Sequence, residues 1–335
     1  MSIPIGILTI INNNNKMIAI LSSSSDANID FVLSWLREYN YEYIRINSDE
    51  IIESEFQFDL FNSKIIYNGQ ELAIDKINVV WYRKFGDFSK SSYFEKIKDQ
   101  VGFHDQQQLA KEYNSILGAI ISLFKGKKWI TPPWQASVNK IDILSLAIEH
   151  EINVPKTWII SNKEKLQMLK GDMEFISKSI FEPYFIHVRE GYYSMFTKTI
   201  KISDSLPKSF FPSLVQEKIY KKYEIRSFYL FGKFYSMAIF SQSDKKSSED
   251  FRKYDYTRPN RRVPYQLPTE IENKIGSMLK IMELNCCSID LIRSTNNKYY
   301  FLEINPTGEF GMVSIPCNYE IYRDIANKLI ELDYD

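Results

Sequence analysis

The sequence predicts an α/β domain followed by an α+β region, and three observations indicate this division. Near the N-terminus, apolar runs at 17–21 and 43–46 flank a segment of helical periodicity, which predicts a β-α-β beginning. After residue 155, short β-prone runs outnumber helical segments, as is typical of α+β folds. Between the two regions lie Pro132 and Pro133, which interrupt both helices and sheets and therefore indicate a domain boundary.

Composition and charge exclude several classes of protein. The chain has 42 Lys and Arg against 42 Asp and Glu, so no overall field attracts nucleic acid or a membrane surface. Its three cysteines form no C-x-x-C pair and it has only three histidines, which argues against a zinc site and for cysteines that pack in a reduced protein. We find no signal peptide and no apolar run of spanning length, which predicts a cytoplasmic protein without membrane contact.

Two β-prone runs near the C-terminal end, 288–292 and 298–304, are separated by polar turn formers and predict a β-hairpin. The first run carries Asp290, and the second carries Glu303 with Asn305 two residues on. Because side chains alternate along a strand, Glu303 and Asn305 point the same way and Asp290 can face them. Such an oxygen-only set suits magnesium bound with nucleotide phosphates. A solvated hairpin face is the alternative interpretation.

Five further features precede this hairpin. In chain order, they are Lys140 at the start of a helix, a V-P-x-T turn at 154–157, Lys178 within a strand at 175–180, a V-Q-E-K-I strand at 215–219, and the pair Glu224 and Arg226, facing alike in a hairpin. The ordered set resembles the ATP-grasp ligases over residues 130–310. The resemblance implies an ATP-grasp fold preceded by an N-terminal α/β domain of the pre-ATP-grasp kind. It implies three domains: residues 1–128, a central lid subdomain at 129–214, and a C-terminal subdomain with the metal site at 215–335.

Three local strings narrow the resemblance. They are W-Y-R-K at 81–84, M-A-I-F-S-Q at 237–242 and D-F-R at 250–252. These strings are similar to those of peptide-modifying ATP-grasp enzymes of the microviridin type, the graspetide synthetases, and among them to the grasp-with-spasm peptide maturases. The resemblance implies a ligase that activates Asp or Glu side chains of a ribosomal precursor peptide as acyl phosphates and joins them to Ser, Thr or Lys side chains. It also implies ATP and Mg²⁺ as cofactors, a leader and core peptide as partner, a homodimer and a SPASM-type partner protein.

The resemblance assigns roles to individual residues. They are Lys140 and Lys178 for the nucleotide phosphates, Glu217, Lys218 and Ile219 for adenine through the hinge backbone, Glu224 for the ribose, Asp290, Glu303 and Asn305 for magnesium, and Arg226 and Arg252 for the acyl phosphate. A guanidinium matches phosphoryl oxygens in geometry, which supports the last assignment. The alternatives are that the lysines lie on exposed faces and that each arginine pairs with a neighbouring acid.

Other functions remain open at the level of sequence. An ATP-grasp ligase that adds an amino acid to a protein tail would share every nucleotide-binding residue. A nucleotide-gated peptide-binding protein without turnover and a small-metabolite kinase are further alternatives. The basic and aromatic segment 252–265 could bind single-stranded nucleic acid. The balanced net charge and the neighbouring predicted ATP site favour an acidic peptide as the ligand of this segment. A solvated loop without a ligand is a further alternative. The sequence identifies neither the precursor peptide nor the ester or amide linkage.

Overall fold

The computed structural model describes residues 16–62, 64–171, 173–181, 185–188, 191–194, 197–203, 206–242 and 259–334. The chain divides into two compact units. The first comprises the described residues up to Ala136 together with those from Glu320 onwards, and the second is Ser137–Tyr319. The predicted C-terminal subdomain, 215–335, includes the residues from Glu320 onwards, whereas the structure groups them with the first unit. The predicted division between residues 214 and 215 stays a prediction.

The first unit is built on a parallel sheet, in the strand order β2-β1-β6-β7. Its elements up to the domain boundary are β1 (Met17–Ser22), α1 (Ala27–Glu38), β2 (Tyr43–Asn47), β3 (Phe56–Asp59), β4 (Lys64–Tyr67), β5 (Gln70–Glu71), β6 (Ile77–Tyr82), α2 (Ser92–Ile97), α3 (Phe103–Ser122) and β7 (Lys128–Ile130). The predicted β-α-β beginning is therefore confirmed. Strands β3, β4 and β5 form a separate small antiparallel sheet. Helix α3 has 20 residues, and neither it nor any other helix of the described ranges is long and apolar enough to cross a membrane.

One charged pair stabilises the first unit from inside. Asp26 precedes α1 as its N-cap, and one carboxylate oxygen accepts a hydrogen bond from the backbone N–H of Asn28. Its other oxygen, Oδ2, lies 2.6 Å from Arg83 Nε, and the two side chains are only 1% and 3% exposed. Arg83 follows β6, and its backbone N–H donates to the carbonyl of Leu21. In the first unit, Arg83 therefore acts as the partner of a buried helix cap.

The second unit contains two antiparallel sheets and a separate strand pair. Its elements are α4 (Lys140–Glu149), β8 (Thr157–Asn162), α5 (Lys163–Lys170), β9 (Phe175–Lys178), β10 (Phe185–Val188), β11 (Gly191–Ser194), β12 (Lys198–Thr199), β13 (Ser209–Glu217), β14 (Lys221–Leu230), β15 (Lys233–Phe240), β16 (Arg261–Tyr265), α6 (Thr269–Ile281), β17 (Cys286–Ser294), β18 (Tyr299–Asn305) and α7 (Gly311–Cys317). One sheet has four strands in the order β12-β9-β13-β8, and the other has five in the order β16-β15-β14-β17-β18. This is the α+β arrangement that the sequence predicts.

Each sheet of the second unit has its own apolar core. Helices α4 and α6 contribute Ile143 and Met278 to a cluster that includes Ile289 and Phe301 of the five-stranded sheet. Helix α5 and the four-stranded sheet form a smaller cluster around Phe175. Because each sheet packs its helices on one face, the remaining faces are available to line a cavity.

The last helix, α8 (Ile321–Tyr334), belongs to the first unit. It contacts β1, β6 and β7 and packs against α1. The hydroxyl of Tyr41 donates to the Asp333 carboxylate at 2.6 Å, and Lys16 donates to the Asp333 carbonyl at 2.7 Å. Helix α8 is therefore part of the core of a unit whose other elements come 190 or more residues earlier.

The three cysteines provide a test of this packing. All three are buried and none forms a disulfide bond. Burial raises the pKa of the Cys317 thiol to about 11, and it raises the pKa of Cys287 well above its usual range. Because the thiolate is the reactive form, a raised pKa leaves little of it at pH 8. We expect no reaction of the folded protein with a disulfide reagent at pH 8 and reaction of all three thiols after unfolding in denaturant. Ser277→Cys, at an exposed position of α6, is the positive control. Rapid labelling of a native cysteine would contradict the packing described.

Candidate active site

A cavity of about 330 Å³ lies between the two sheets of the second unit. The four-stranded sheet contributes Ile176, Lys178 and Gln216, and the five-stranded sheet contributes Glu224, Asp290 and Glu303, among others. The connection from β13 to β14, residues 218–220, forms a further wall. Most of the polar residues predicted from the sequence therefore meet at one place.

Two carboxylates face each other across the predicted hairpin, which the structure contains as β17 and β18. Asp290 is paired directly with Glu303, and Ser288 is paired with Asn305. The next pair, Leu291 with Phe301, skips Leu302, so β18 has one extra residue at this point. Such a bulge changes the direction in which the neighbouring side chains point. Asp290 and Glu303 line the same cavity as a result of this register.

Two lysines approach Glu303. Lys140 Nζ lies 3.4 Å and Lys178 Nζ 3.9 Å from Glu303 Oε2. Lys140 is the first residue of α4, where Asn139 caps the helix by accepting a hydrogen bond from the N–H of Ile141. Its ammonium group also donates to the carbonyl of Phe181 at 2.9 Å. The lysine and carboxylate side chains are 10–21% exposed, so they interact in a partly water-excluded space where charges act more strongly than in bulk water.

Arg226 neutralises the second carboxylate. It lies opposite Asp290 on the neighbouring strand, and its NH1 group donates to both carboxylate oxygens at 3.1 and 3.2 Å. The sequence left open whether Arg226 binds a substrate or pairs with an acid, and in this structure it pairs with an acid. Among the described residues, its buried Nε has no hydrogen-bond partner. One donor of the guanidinium therefore remains for a further ligand.

The backbone of the predicted hinge is fixed by hydrogen bonds to the residues that precede β8 and β9. The N–H of Glu217 donates to the Lys156 carbonyl, and that of Lys218 donates to the Glu174 carbonyl, both at 2.8 Å. The Lys218 ammonium also pairs with the Glu174 carboxylate at 2.8 Å. Ile219 lies between β13 and β14 and lines the cavity, and within the described part of the chain its backbone N–H and C=O have no hydrogen-bond partner. The backbone of Ile219 can therefore bind the edge of a planar ligand.

Glu224 is held by Lys221, for which the sequence predicts no role, and by Ser241 of the M-A-I-F-S-Q string. Lys221 Nζ lies 2.5 Å from Oε1, and the Ser241 hydroxyl donates to Oε2 at 2.6 Å. The Glu224 residue is 7% exposed. Regular alternation would place Lys221 and Glu224 on opposite faces of β14, but the register shifts between Lys221 and Tyr223. This shift brings Lys221 to the cavity side, and the sequence contains no clear signal for it.

The remaining predicted residues are placed as follows. Asn305 is exposed, and its Oδ1 accepts a hydrogen bond from the Thr307 N–H at 3.1 Å. Arg252 lies outside the described residues. Among the described residues, no three His, Cys, Asp or Glu side chains form a group that could hold a metal. The predicted magnesium ligands are two carboxylates, Asp290 and Glu303, and one amide, Asn305, so they are not three residues of these four types. Their oxygens are hard donors of the kind that magnesium binds.

Comparison with known proteins identifies the fold. No protein-family model and no curated protein sequence matches the chain. Three solved structures align over nearly the whole chain. A RiPP-associated ATP-grasp ligase from Chryseobacterium gregarium, in complex with ADP and a leader and core peptide, has a TM-score of 0.81 and 22% identity over 94% of this chain and 97% of that one. The macrocyclase MdnC from Microcystis aeruginosa MRC, bound with the precursor peptide MdnA, has a TM-score of 0.78 and 23% identity over 94% and 99%.

The third structure is the ATP-grasp ligase PsnB, complexed with a minimal precursor, Mg and ADP. Its TM-score is 0.74 and its identity 16%, over 94% of this chain and 97% of that one. These likenesses show that the chain has the ATP-grasp fold, preceded by an N-terminal α/β unit. The fold predicted from the order of the sequence motifs is confirmed.

The turn after β18 gives the first prediction for this site. A Cβ atom at Gly308 would overlap Ser288 Cβ and Oγ and would come within 3.0 Å of the Asn305 carbonyl. We expect Gly308→Ala to lower the free energy of unfolding by about 1–3 kcal/mol, as overpacking does, and Ser288→Gly to recover part of the loss in the double variant. Thermal unfolding measures this. Gly276→Ala, whose Cβ meets no atom closer than 4.0 Å, is the matched control and should be neutral or slightly stabilising. Equal effects of the two alanines would contradict the packing.

The pair Lys221–Glu224 gives the second prediction. We expect Lys221→Met to lower the free energy of unfolding by about 3 kcal/mol, because a buried carboxylate loses its cation. The neighbouring Lys222 donates to Asn297 at the surface, and Lys222→Met should change the free energy by less than about 0.5 kcal/mol. Denaturant unfolding followed by tryptophan fluorescence compares the two variants. A Lys221→Met protein as stable as Lys222→Met would show that Glu224 does not depend on this partner.

Proposed function

We propose that this chain is an ATP-dependent ligase that activates Asp or Glu side chains of a ribosomally made precursor peptide as acyl phosphates. It then joins them to Ser, Thr or Lys side chains, forming macrocyclic ω-esters or ω-amides. The observation that carries the proposal is the convergence of Lys140 and Lys178 on Glu303, directly opposite Asp290, in a cavity of an ATP-grasp fold. The structures of similar fold support it, because their complexes contain ADP and precursor peptides.

The reaction has two balanced steps. A carboxylate oxygen of the peptide attacks the γ-phosphorus of ATP, the bond to the β-phosphate oxygen breaks, and an acyl phosphate and ADP result. A hydroxyl or amine of the same peptide then attacks the acyl carbon, loses its proton and displaces inorganic phosphate. Each ring therefore removes one water, about 18 Da, from the peptide by this covalent chemistry. Both steps depend mainly on positioning and on stabilisation of negative charge.

Residues in the cavity wall and beside it divide this work. Lys140 and Lys178 contact the phosphates, and they exchange their contact with Glu303 for phosphate oxygens of opposite charge. Asp290, Glu303 and Asn305 would hold Mg²⁺, which when bound neutralises charge on the phosphates. The backbone of the hinge at Glu217, Lys218 and Ile219 holds adenine, and Glu224 accepts from the ribose hydroxyls. The two arginines of the proposed site, Arg226 and Arg252, bind the reacting groups.

Arg226 binds the peptide carboxylate and the acyl phosphate through its planar fork. Its Nε has no hydrogen-bond partner among the residues that the structure describes, and its position beside Asp290 also supports this role. Arg252 is proposed for the same role on the D-F-R string alone. The grasp-with-spasm assignment, with a SPASM-type partner and a homodimer, rests on the sequence resemblance. An enzyme that needs ATP and a newly made peptide would act in the cytoplasm.

Intact mass spectrometry tests the proposal. The purified protein is incubated with ATP, Mg²⁺ and the Ser/Thr- and Asp/Glu-containing peptide encoded beside it. We expect losses of about 18 Da per ring that require both ATP and Mg²⁺ and are absent with Glu303→Gln. Glu270→Gln, at an acid with a 75% exposed side chain on α6, is the matched control and should retain activity.

Other outcomes separate the alternatives. Gain of an amino-acid mass would identify a tail-adding ligase. Gain of phosphate, about 80 Da, without ring formation would identify a kinase. An unchanged peptide with nucleotide still bound, after every peptide encoded nearby has been assayed, would leave a binding protein without turnover. Activity of Glu303→Gln equal to that of the unmodified enzyme would contradict the proposed metal site.

A further inference from the structure

Strand β8 lies at one edge of the four-stranded sheet, and the outer side of its backbone is open. Of the strands in this sheet, only β13 pairs with it. The bond from the Glu217 N–H to the Lys156 carbonyl sets the antiparallel alternation, in which Trp158 exchanges its backbone bonds with β13. The N–H and C=O groups of Thr157 and Ile159 therefore point away from the sheet. Within the described ranges, these four groups have no hydrogen-bond partner.

The other edge strands of the two larger sheets in the second unit are short, blocked or bonded. Strand β12 has only two residues, and β16 contains Pro264 and two arginines. In β18, the N–H of Phe301 donates to the Asn153 carbonyl outside the sheet. Such features prevent an edge from pairing with another chain. Strand β8 has no proline and no charged residue, and Ile159 at its centre is 43% exposed. An open edge of this kind can accept an extended peptide as a further strand.

This edge adjoins the cavity. Pro155, two residues before β8, lines the cavity, and so does Gln216, which is directly opposite Thr157. Nε2 of Gln216 donates to Thr157 Oγ1 at 2.8 Å, and the Thr157 hydroxyl donates to the Pro155 carbonyl at 2.8 Å. Since a hydroxyl has one hydrogen, Thr157 can only accept from Gln216. The beginning of β8 is therefore bonded to the cavity wall, and a strand added beside it would end at the cavity.

The surroundings of the edge indicate the chemistry of its partner. Trp158 and Ile160 face the apolar cluster around Phe175, so side chains opposite them would extend an apolar surface. Ile159 lies on the other face, which is the face of the cavity. At the cavity end of the edge, Lys156 is exposed, and its ammonium group forms no ion pair with a described carboxylate. An acidic side chain would complement this charge.

We propose that an extended segment of the precursor peptide adds to β8 as a further strand, with an Asp or Glu side chain near Lys156. The inference rests on the proposed function, because the partner is the peptide substrate, and it adds where and in which conformation this peptide binds. The peptide backbone exchanges hydrogen bonds with Thr157 and Ile159, and its apolar side chains lie opposite Trp158 and Ile160. Its acidic end is thereby directed to the cavity.

Amide hydrogen exchange detects such a strand at single residues. In protein that contains nitrogen-labelled isoleucine, the amide of Ile160 is bonded to β13 and that of Ile159 points outwards. We expect the Ile159 amide to exchange rapidly in the protein alone and about tenfold more slowly with saturating precursor peptide, the equivalent of one hydrogen bond. The Ile160 amide should exchange slowly in both. An Ile159 amide that exchanges equally fast with and without saturating peptide overturns the inference.

Substitutions at the edge test its contribution to affinity. Ile159→Pro removes an N–H that makes no bond to β13, which an edge strand tolerates. We expect its affinity for a fluorescent precursor peptide to fall about tenfold, with unchanged affinity for ADP. Ile159→Lys places a charge on the edge and should act alike if the proline variant does not fold. Ile281→Lys, at a 65% exposed residue that ends α6, is the matched control and should bind the peptide normally.

The outcomes separate the inference from the function on which it rests. Failure of the folded protein to bind or modify the precursor peptide would overturn the proposed function. Ring formation with full peptide affinity in both Ile159 variants would overturn the inference alone. Slow exchange of the Ile159 amide without peptide, becoming fast on dilution, would assign the edge to a second copy of the chain and also overturn it. Peptide-dependent protection of Ile159, with weakened binding in the variants, supports both.

Discussion

The direct opposition of Asp290 and Glu303 is the constraint on which the second unit depends. Two carboxylates on adjacent strands repel each other, and in a partly buried cavity this repulsion is costly unless cations offset it. Arg226 lies beside the first acid, and Lys140 and Lys178 lie beside the second. The cations come from three different elements, β14, α4 and β9. The charges of the cavity are therefore balanced only when both sheets and the helix are assembled.

This balance also explains how one cavity could serve both a metal and a phosphate chain. The groups proposed to bind phosphate are the ones that neutralise the proposed metal ligands in this structure. A metal ion arriving at the carboxylates and a phosphate arriving at the lysines would replace one set of opposite-charge contacts with another. Neither the carboxylates nor the lysines would then carry a charge without an opposite charge beside it. Catalysis by such a site depends on groups that are already oriented, which is the least costly way to stabilise developing charge.

Much of this arrangement follows from local sequence patterns, and the rest does not. Alternation along two β-prone runs was sufficient to predict that Asp290 faces Glu303, and helical periodicity was sufficient to place Lys140 in a first turn. The partner of Glu224 could not be predicted, because a register shift in β14 brings Lys221 to the other face. The orientation of the Gln216 amide could not be predicted from the sequence for a different reason. It depends on Thr157, which is distant in sequence, and on the single hydrogen of a hydroxyl group.

Helix α8 has a consequence for how the protein is made. It packs on β1, β6 and β7 and belongs to the first unit, although the whole of Ser137–Tyr319 precedes it in the chain. A ribosome synthesises that entire second unit before the helix that covers this face of the first sheet has emerged. During this interval, the strands of the first unit expose apolar side chains such as those that later contact α8, and exposed apolar surface of this kind favours aggregation. Every described element of the second unit precedes α8 in the chain. A nascent chain would therefore contain every element that lines the cavity before α8 covers the N-terminal sheet, and this sheet is where a chaperone would bind.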